Sequence, residues 1–118
     1  MSVHRADEGD EYFFEEGCYV LELANTPEHD DLSIARIRVP PGKHTRWHRL
    51  ERSIERYVIL SGVGEVEVGG EPPRRVIAGD VVRIPENTRQ RIANQGSSDL
   101  IFLALCTPRF RKDDYHAL

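Results

Sequence analysis

Short runs of β-branched and apolar residues, separated by turn residues at intervals of about ten, constrain the fold of this sequence most. The runs lie at 18–23, 32–39, 57–60, 65–68, 76–77, 81–84, 90–93 and 100–106, and Gly, Pro and Asn interrupt them at 40–42, 69–70 and 94–96. In the second run the alternation of apolar and polar residues slips at Ala35. Strands with this spacing predict an all-β sandwich or closed barrel. The lack of a long 3.6-residue period predicts no substantial helix.

Length and charge narrow the class of protein. The chain has 118 residues and a formal net charge of −4, which fits one domain and does not favour nucleic acid as a partner. No apolar run is long enough for a transmembrane helix, and the polar start of the chain is unlike a signal peptide. Cys18 and Cys106 are the only cysteines, and we expect two reduced, half-buried thiols. The cytoplasm is the expected compartment, with no membrane partner.

Two segments that each begin with glycine contain the side chains that could take part in catalysis or metal binding. The first contains, in order, Gly42, His48, Glu55 and Gly62. The second contains Gly79, Pro85, Gln90 and Asn94. Together these spacings resemble the two motifs of the cupin superfamily, and the resemblance covers residues 30–107. It implies a double-stranded β-helix, the jelly-roll cupin barrel, which assembles as a homodimer.

The resemblance also predicts the domain organisation. Residues 1–118 are expected to form a single cupin domain, with arms at 1–16 and 108–118 outside the barrel motifs. The aromatic run at 12–14 should be buried, and a strand that crosses to a second subunit is one place for it. The tail after residue 108 could pack across the barrel or fray.

The resemblance implies metal ligands at two histidines and a glutamate of the first motif and at a histidine of the second. This chain keeps His48 and Glu55 but has Leu50 and Gln90 in the other two places. His48, Glu55 and Gln90 could still hold one weakly bound divalent ion, Mn, Fe, Ni or Zn. His44 is a poor substitute because four residues along a strand span about 13 Å, so a position at the rim or surface is expected. A pocket without metal is the alternative.

Strand alternation predicts which side chains share the interior. If His48 points inward, so does Arg46, and if Glu55 does, so does Tyr57. Gln90 would add an amide to this set. An inward Arg46 needs an acceptor, either Glu55 or an anionic ligand. Trp47 should then face outward, as packing or as a subunit contact.

These residues support several functions. His48, Glu55 and Tyr57 are the predicted catalytic residues of an isomerase or epimerase that moves a proton next to a carbonyl, and Arg46 and Gln90 are the predicted substrate-binding residues. The expected ligand is a small, anionic, oxygen-rich metabolite such as a sugar acid or keto acid. Metal-assisted dioxygenation is a second possibility. Because one fold hosts many functions, a metabolite-binding or sensor protein without turnover and a storage role stay open.

Overall fold

The computed structural model describes all residues from Met1 to Leu118, and it consists of antiparallel β-structure with two short helical turns. The strands are β1 (Tyr12–Phe14), β2 (Cys18–Ala24), β3 (Ser33–Val39), β4 (His48–Leu50), β5 (Ile54–Ser61), β6 (Val63–Val68), β7 (Arg74–Ile77), β8 (Val81–Ile84), β9 (Gln90–Asn94), β10 (Leu100–Thr107) and β11 (Tyr115–Ala117). The helical turns are 3₁₀ turns at Glu8–Asp10 and Lys112–Asp114. The all-β prediction and the prediction of no substantial helix are confirmed. No helix is long and apolar enough to cross a membrane.

The strands form two sheets that enclose the core. One sheet has six strands in the order β1-β2-β3-β10-β5-β8, and the other has five in the order β11-β4-β9-β6-β7. Strands that are distant in sequence lie side by side, as in a jelly roll. The largest fully buried side chains are apolar and come from both sheets, among them Leu21, Ile59, Ile84, Ile92 and Phe102.

A close approach between chain segments explains one glycine of the first motif. Gly62 has a φ of +89°, and a Cβ there would lie 2.7 Å from the carbonyl oxygen of Asp99. A side chain at this position would therefore be strained by the backbone and would collide with the start of β10. Glycine lets the chain pass from β5 to β6 against β10.

Strand β3 corrects the predicted phase slip. Its alternation is regular, because Ser33, Ile37 and Val39 are buried while Ile34 and Arg36 are only half-buried. Ser33 tolerates burial because its hydroxyl oxygen accepts a hydrogen bond from the Phe110 amide at 2.8 Å. The polar residue therefore faces inward and the apolar Ile34 faces outward, the opposite of a simple apolar-inside pattern.

Both arms add strands to the barrel of the same chain. β1 pairs with β2, and β11 pairs with β4, with Tyr115 opposite Leu50. The prediction that the whole aromatic run at 12–14 is buried is wrong for the single chain, because Tyr12 is 42% and Phe13 62% exposed. Phe14 is half-buried and packs against the core. The tail packs across the barrel, as one of the two predicted alternatives had it.

Candidate functional site

His48 lies in the interior with both ring nitrogens in contact with oxygen atoms. It begins β4, opposite Gln90 of β9, and is 2% exposed. Its Nδ1 lies 2.7 Å from the carbonyl oxygen of Arg46, and its Nε2 lies 3.0 Å from Oε1 of Glu16. A carbonyl oxygen only accepts, so Nδ1 carries a proton and donates it. With Glu16 ionised, Nε2 also donates, and His48 is then an imidazolium paired with a carboxylate.

The charge of Glu16 decides the protonation of His48. Burial disfavours the imidazolium, but the hydrogen bond and the negative charge of Glu16 outweigh it and raise the pKa of His48 above its usual value. Glu16 is therefore the neighbour that most favours the protonated form of His48 in this buried position.

A glycine turn brings Glu16 to His48. Gly17 has a φ of +103°, and a Cβ there would lie 3.0 Å from the carbonyl oxygen of His44. The Arg46 amide donates to the carbonyl oxygen of Glu16 at 2.7 Å. The turn between β1 and β2 is thus held against the segment before β4, and Glu16 contacts a histidine 32 residues later in the chain.

Glu55 is a buried carboxyl group with an unsatisfied oxygen. The residue is 8% exposed; Oε2 lies 3.7 Å from the Cys106 thiol, and Oε1 has no hydrogen-bond partner. Burial raises its pKa, and the charge of Glu16 raises it further, while His48 lowers it; the result is about 7. Glu55 can therefore give up or take up a proton near neutral pH.

Tyr57 and Gln90 bind each other. The Tyr57 hydroxyl donates a short hydrogen bond to Oε1 of Gln90, and both residues are almost completely buried. Burial, reinforced by the charge of Glu55, raises the pKa of Tyr57 well above its usual value, so the phenol keeps its proton. Neither side chain lines the cavity that Glu16 and Glu55 face.

Aromatic rings from both arms cover the site. Tyr115 of β11 stacks on the His48 ring with a centroid distance of 5.4 Å and an interplanar angle of 24°. Phe14 packs edge-to-face against Tyr115 and against Phe110. The N-terminal strand and the tail together therefore shield the Glu16–His48 pair from water.

A small cavity lies beneath this aromatic cover. Its volume is about 60 Å³, which is room for about two water molecules at liquid density. The lining is mostly apolar, with three carboxyl groups from Glu16, Glu22 and Glu55 and no basic side chain. The polar groups that face this space are therefore hydrogen-bond acceptors when they are ionised.

The predicted position of Arg46 is wrong. Its side chain is exposed, whereas Thr45 and His48 are both buried. Residues 45–47 are not in a strand, and the Thr45 amide bonds to the carbonyl oxygen of Ile92. The two-residue alternation therefore does not reach back from β4, and Arg46 is not beside Glu55. His44 is exposed at the surface, as expected, and Trp47 is half-buried beneath the guanidinium groups of Arg89 and Arg91.

The donor set does not fit a resident transition metal. No three side chains of His, Cys, Asp or Glu are placed to hold one ion. Nε2 of His48 contacts Glu16, and Oε1 of Gln90 accepts from Tyr57. Leu50 offers no donor atom, so only the free oxygen of Glu55 has no competing partner. A stable site needs several such ligands.

The structure brings His48, Glu55, Tyr57 and Gln90 into one buried region, and it adds three residues that the sequence did not reveal. These are Glu16, which contacts His48; Cys106, whose thiol faces Glu55; and Tyr115, which stacks on His48. Glu16 and Tyr115 lie in the arms, outside the motif spacing. Cys106 lies on β10, where alternation alone predicts an inward side chain.

Comparisons with known proteins agree with this architecture. The Cupin_2 family model, described as a cupin domain, matches residues 35–106. A protein described as oxalate-binding, from Thermotoga maritima, is 37% identical over 71 residues, which are 60% of this chain and 58% of that protein. The chain thus spans little more than half the length of this relative.

Solved structures share the fold over nearly the whole chain. The structure of KdgF from Halomonas sp. superposes with a TM-score of 0.78 at 29% identity and covers 96% of this chain and 98% of that one. An oxalate decarboxylase–formate complex from Lactobacillus farciminis has a TM-score of 0.77 at 24% identity, over 92% of this chain and 33% of that one. With the family match, the two facing sheets and the two motifs, these likenesses show that the chain belongs to the cupin family.

Proposed function

We propose that this cupin binds a small oxygen-rich metabolite in its interior cavity and moves a proton on it, as an isomerase or epimerase does. The observation that carries the proposal is Glu55, a buried carboxyl group with a pKa of about 7 and a free oxygen at the cavity. A group that titrates near the working pH is the most effective general acid or base.

Each residue of the site takes a role that follows from its contacts. Glu55 and the Glu16 carboxylate both line the cavity, so one can take a proton from a carbon next to a carbonyl while the other donates. His48 acts through Glu16, whose carboxyl group it holds in place by the 3.0 Å contact from Nε2 to Oε1. Tyr57 and Gln90, which the sequence assigned to catalysis and to substrate, are proposed as positioning residues, because their polar atoms bind each other.

The acidic character of the ligand is supported by the oxalate-binding relative. Arg46 no longer supports an acidic ligand in the cavity, since its side chain is exposed. A sugar acid or keto acid remains the proposed class, because such molecules carry both the acid group and a carbonyl or hydroxyl group on which a proton can move.

Deuterium exchange tests the proton transfer without knowledge of the product. Keto acids and keto sugars are incubated with the protein in D₂O, and loss of the signal of protons next to the carbonyl is followed by proton NMR. We expect exchange with the native protein and a loss of about a hundredfold or more in Glu55→Gln. The exposed Arg75 provides a matched control, and Arg75→Ala should keep the full rate.

A binding protein without turnover is the second candidate, favoured by the loss of two imidazoles that the family motif places at Leu50 and Gln90. Its signature is a ligand that raises the melting temperature and shows no exchange in D₂O. That result would refute the isomerase and retain the cavity as a binding site.

The same proposal expects little resident metal. Protein purified without chelator should contain far less than one Mn, Fe, Ni or Zn per chain by elemental mass spectrometry, and His48→Ala should not change that content. Stoichiometric metal that disappears in His48→Ala would show that the ligand set works despite its substitutions. It would also restore a dioxygenase as a candidate.

A further inference from the structure

The inference concerns which end of the ligand enters the cavity, and it starts from the unsatisfied oxygen of Glu55. Oε1 is buried and makes no hydrogen bond of normal geometry, although the Gln90 side chain is near enough to lower the pKa of the carboxyl group, and Oε2 has the Cys106 thiol at 3.7 Å. A thiol is a weak donor. Leaving a buried carboxyl oxygen without a hydrogen bond costs free energy, so a ligand that donates a hydrogen bond there is favoured.

Binding of a ligand carboxylate inside the same cavity would be unfavourable. The lining contains Glu16, Glu22 and Glu55 and no Arg, Lys or His. The two ring nitrogens of His48 contact Glu16 and the Arg46 carbonyl oxygen. Neither N–H group is therefore free to donate a hydrogen bond to a ligand. A second negative charge in this space would meet carboxyl groups and no cation, with the Tyr12 hydroxyl and the weakly donating Cys106 thiol as the other polar groups.

Basic groups lie at the mouth instead. A wider opening shares Tyr12, Phe14, Glu22 and Phe110 with the cavity. Beyond them it is lined by Asn25, Arg109, Arg111, Lys112 and Asp113.

The mouth, unlike the cavity, holds three cations, which stand beside the carboxyl groups of Glu22 and Asp113. Arg109 and Arg111 share one carboxylate, that of Asp30, at 2.6 and 3.3 Å. Lys112 is exposed. An acid group of a ligand at the mouth would therefore find cations, in contrast to the acceptors inside.

We propose that the ligand is a hydroxylated organic acid bound hydroxyl-first, with its hydroxyl donating to Oε1 of Glu55 and its acid group at the rim formed by Arg109, Arg111 and Lys112. This orientation rests on the proposed function, since it assumes that the cavity is the ligand site. The proposed contact for the acid group thus lies in the arm at residues 108–118, and not at Arg46 as the sequence predicted.

Four probes of equal chain length test the orientation. They are 4-hydroxybutyrate, butyrate, succinate and 1,4-butanediol, titrated into the full-length protein at slightly alkaline pH and followed by protein NMR. We expect 4-hydroxybutyrate to bind tightest. Butyrate, which lacks the donor, and succinate, which would put a second carboxylate inside, should each bind about tenfold more weakly or worse.

Two variants test separately the contacts of the hydroxyl end and of the acid end of the ligand. Glu55→Leu should reduce the affinity for 4-hydroxybutyrate to that for butyrate. Lys112→Ala should weaken both monoacids by the same factor, about two- to fivefold, and leave 1,4-butanediol unchanged. The chain has one other lysine, Lys43, which is exposed outside this mouth and gives the matched control Lys43→Ala. The probe series in native protein and the lysine pair keep the test valid if Glu55→Leu does not fold.

Two results would overturn the proposal in different ways. If succinate binds as tightly as 4-hydroxybutyrate and its binding needs Glu55, the cavity accepts a carboxylate; the orientation is then wrong and the proposed function stands. If no probe perturbs the resonances of residues that line the cavity, both the orientation and the proposed function fail.

Discussion

At the scale of single residues, Glu55 makes the stability of the protein depend on pH. Its pKa is about 7 in the fold against 4.5 for the free side chain. Between these values the native state holds a proton that the unfolded state has lost, so the free energy of unfolding falls as pH rises. One pKa unit corresponds to about 1.4 kcal/mol, which gives a loss of roughly 3 kcal/mol above pH 7.

Glu55→Gln should remove this dependence. In urea titrations at pH 5 and pH 8, the native protein should lose roughly 2.5 kcal/mol more of its unfolding free energy than the variant does. His48 acts in the same direction in both proteins, because a raised histidine pKa stabilises the fold at low pH and the benefit is lost as pH passes that value. Equal pH dependence in the two proteins would show that Glu55 is not a buried titrating group.

At the scale of elements, the tail is a structural part of the site. β11 pairs with β4, and the Leu118 amide bonds to the carbonyl oxygen of Trp47. These contacts place Tyr115 over His48. The last strand therefore covers the same residues that the first motif positions, and its removal would expose the Glu16–His48 pair to water.

Tyr115→Ala should lower the unfolding free energy by roughly 2 kcal/mol, less than the loss for a fully buried aromatic ring. It should also bring the pKa of His48, followed by NMR, closer to that of a free imidazole, because water weakens its pairing with Glu16. His116→Ala is the control, since His116 lies next in the strand, is half-buried and contacts Glu51 at 3.6 Å in place of His48. Equal effects of the two variants would mean that the tail contributes only through its backbone.

At the scale of the whole molecule, the outer face of the six-stranded sheet carries an apolar strip on β10, β5 and β8. Half-buried Leu103 lies opposite Val58, and Val58 lies opposite Val81, which is 60% exposed. Leu60 on the same strand is 46% exposed. A continuous apolar strip on a sheet face is typical of an interface, and it fits the homodimer that the family resemblance predicts.

Light scattering coupled to size-exclusion chromatography should give the mass of a dimer for the native protein. Val81→Glu should shift it to the monomer, because a charge in the strip opposes burial, while Arg75→Glu on the exposed β7 of the other sheet tests whether any charge change has this effect. A monomeric native protein would refute the homodimer and leave the strip without an assigned partner.

The local pattern of the sequence determined the fold class and which residues of the two motifs are buried together. Turn residues and two-residue alternation are properties of neighbouring positions, so the eight apolar runs all became strands and His48, Glu55, Tyr57 and Gln90 are buried together. The same reasoning failed at Arg46, because alternation holds only inside a strand and residues 45–47 lie outside one.

Only the tertiary structure decided the charge of the site and what covers it. Glu16 and Tyr115 reach His48 from opposite ends of the chain, and no periodicity links positions so far apart. The pKa values of His48 and Glu55 follow from burial and from the nearby Glu16 charge. Both depend on distances in space, which the order of residues along the chain does not contain.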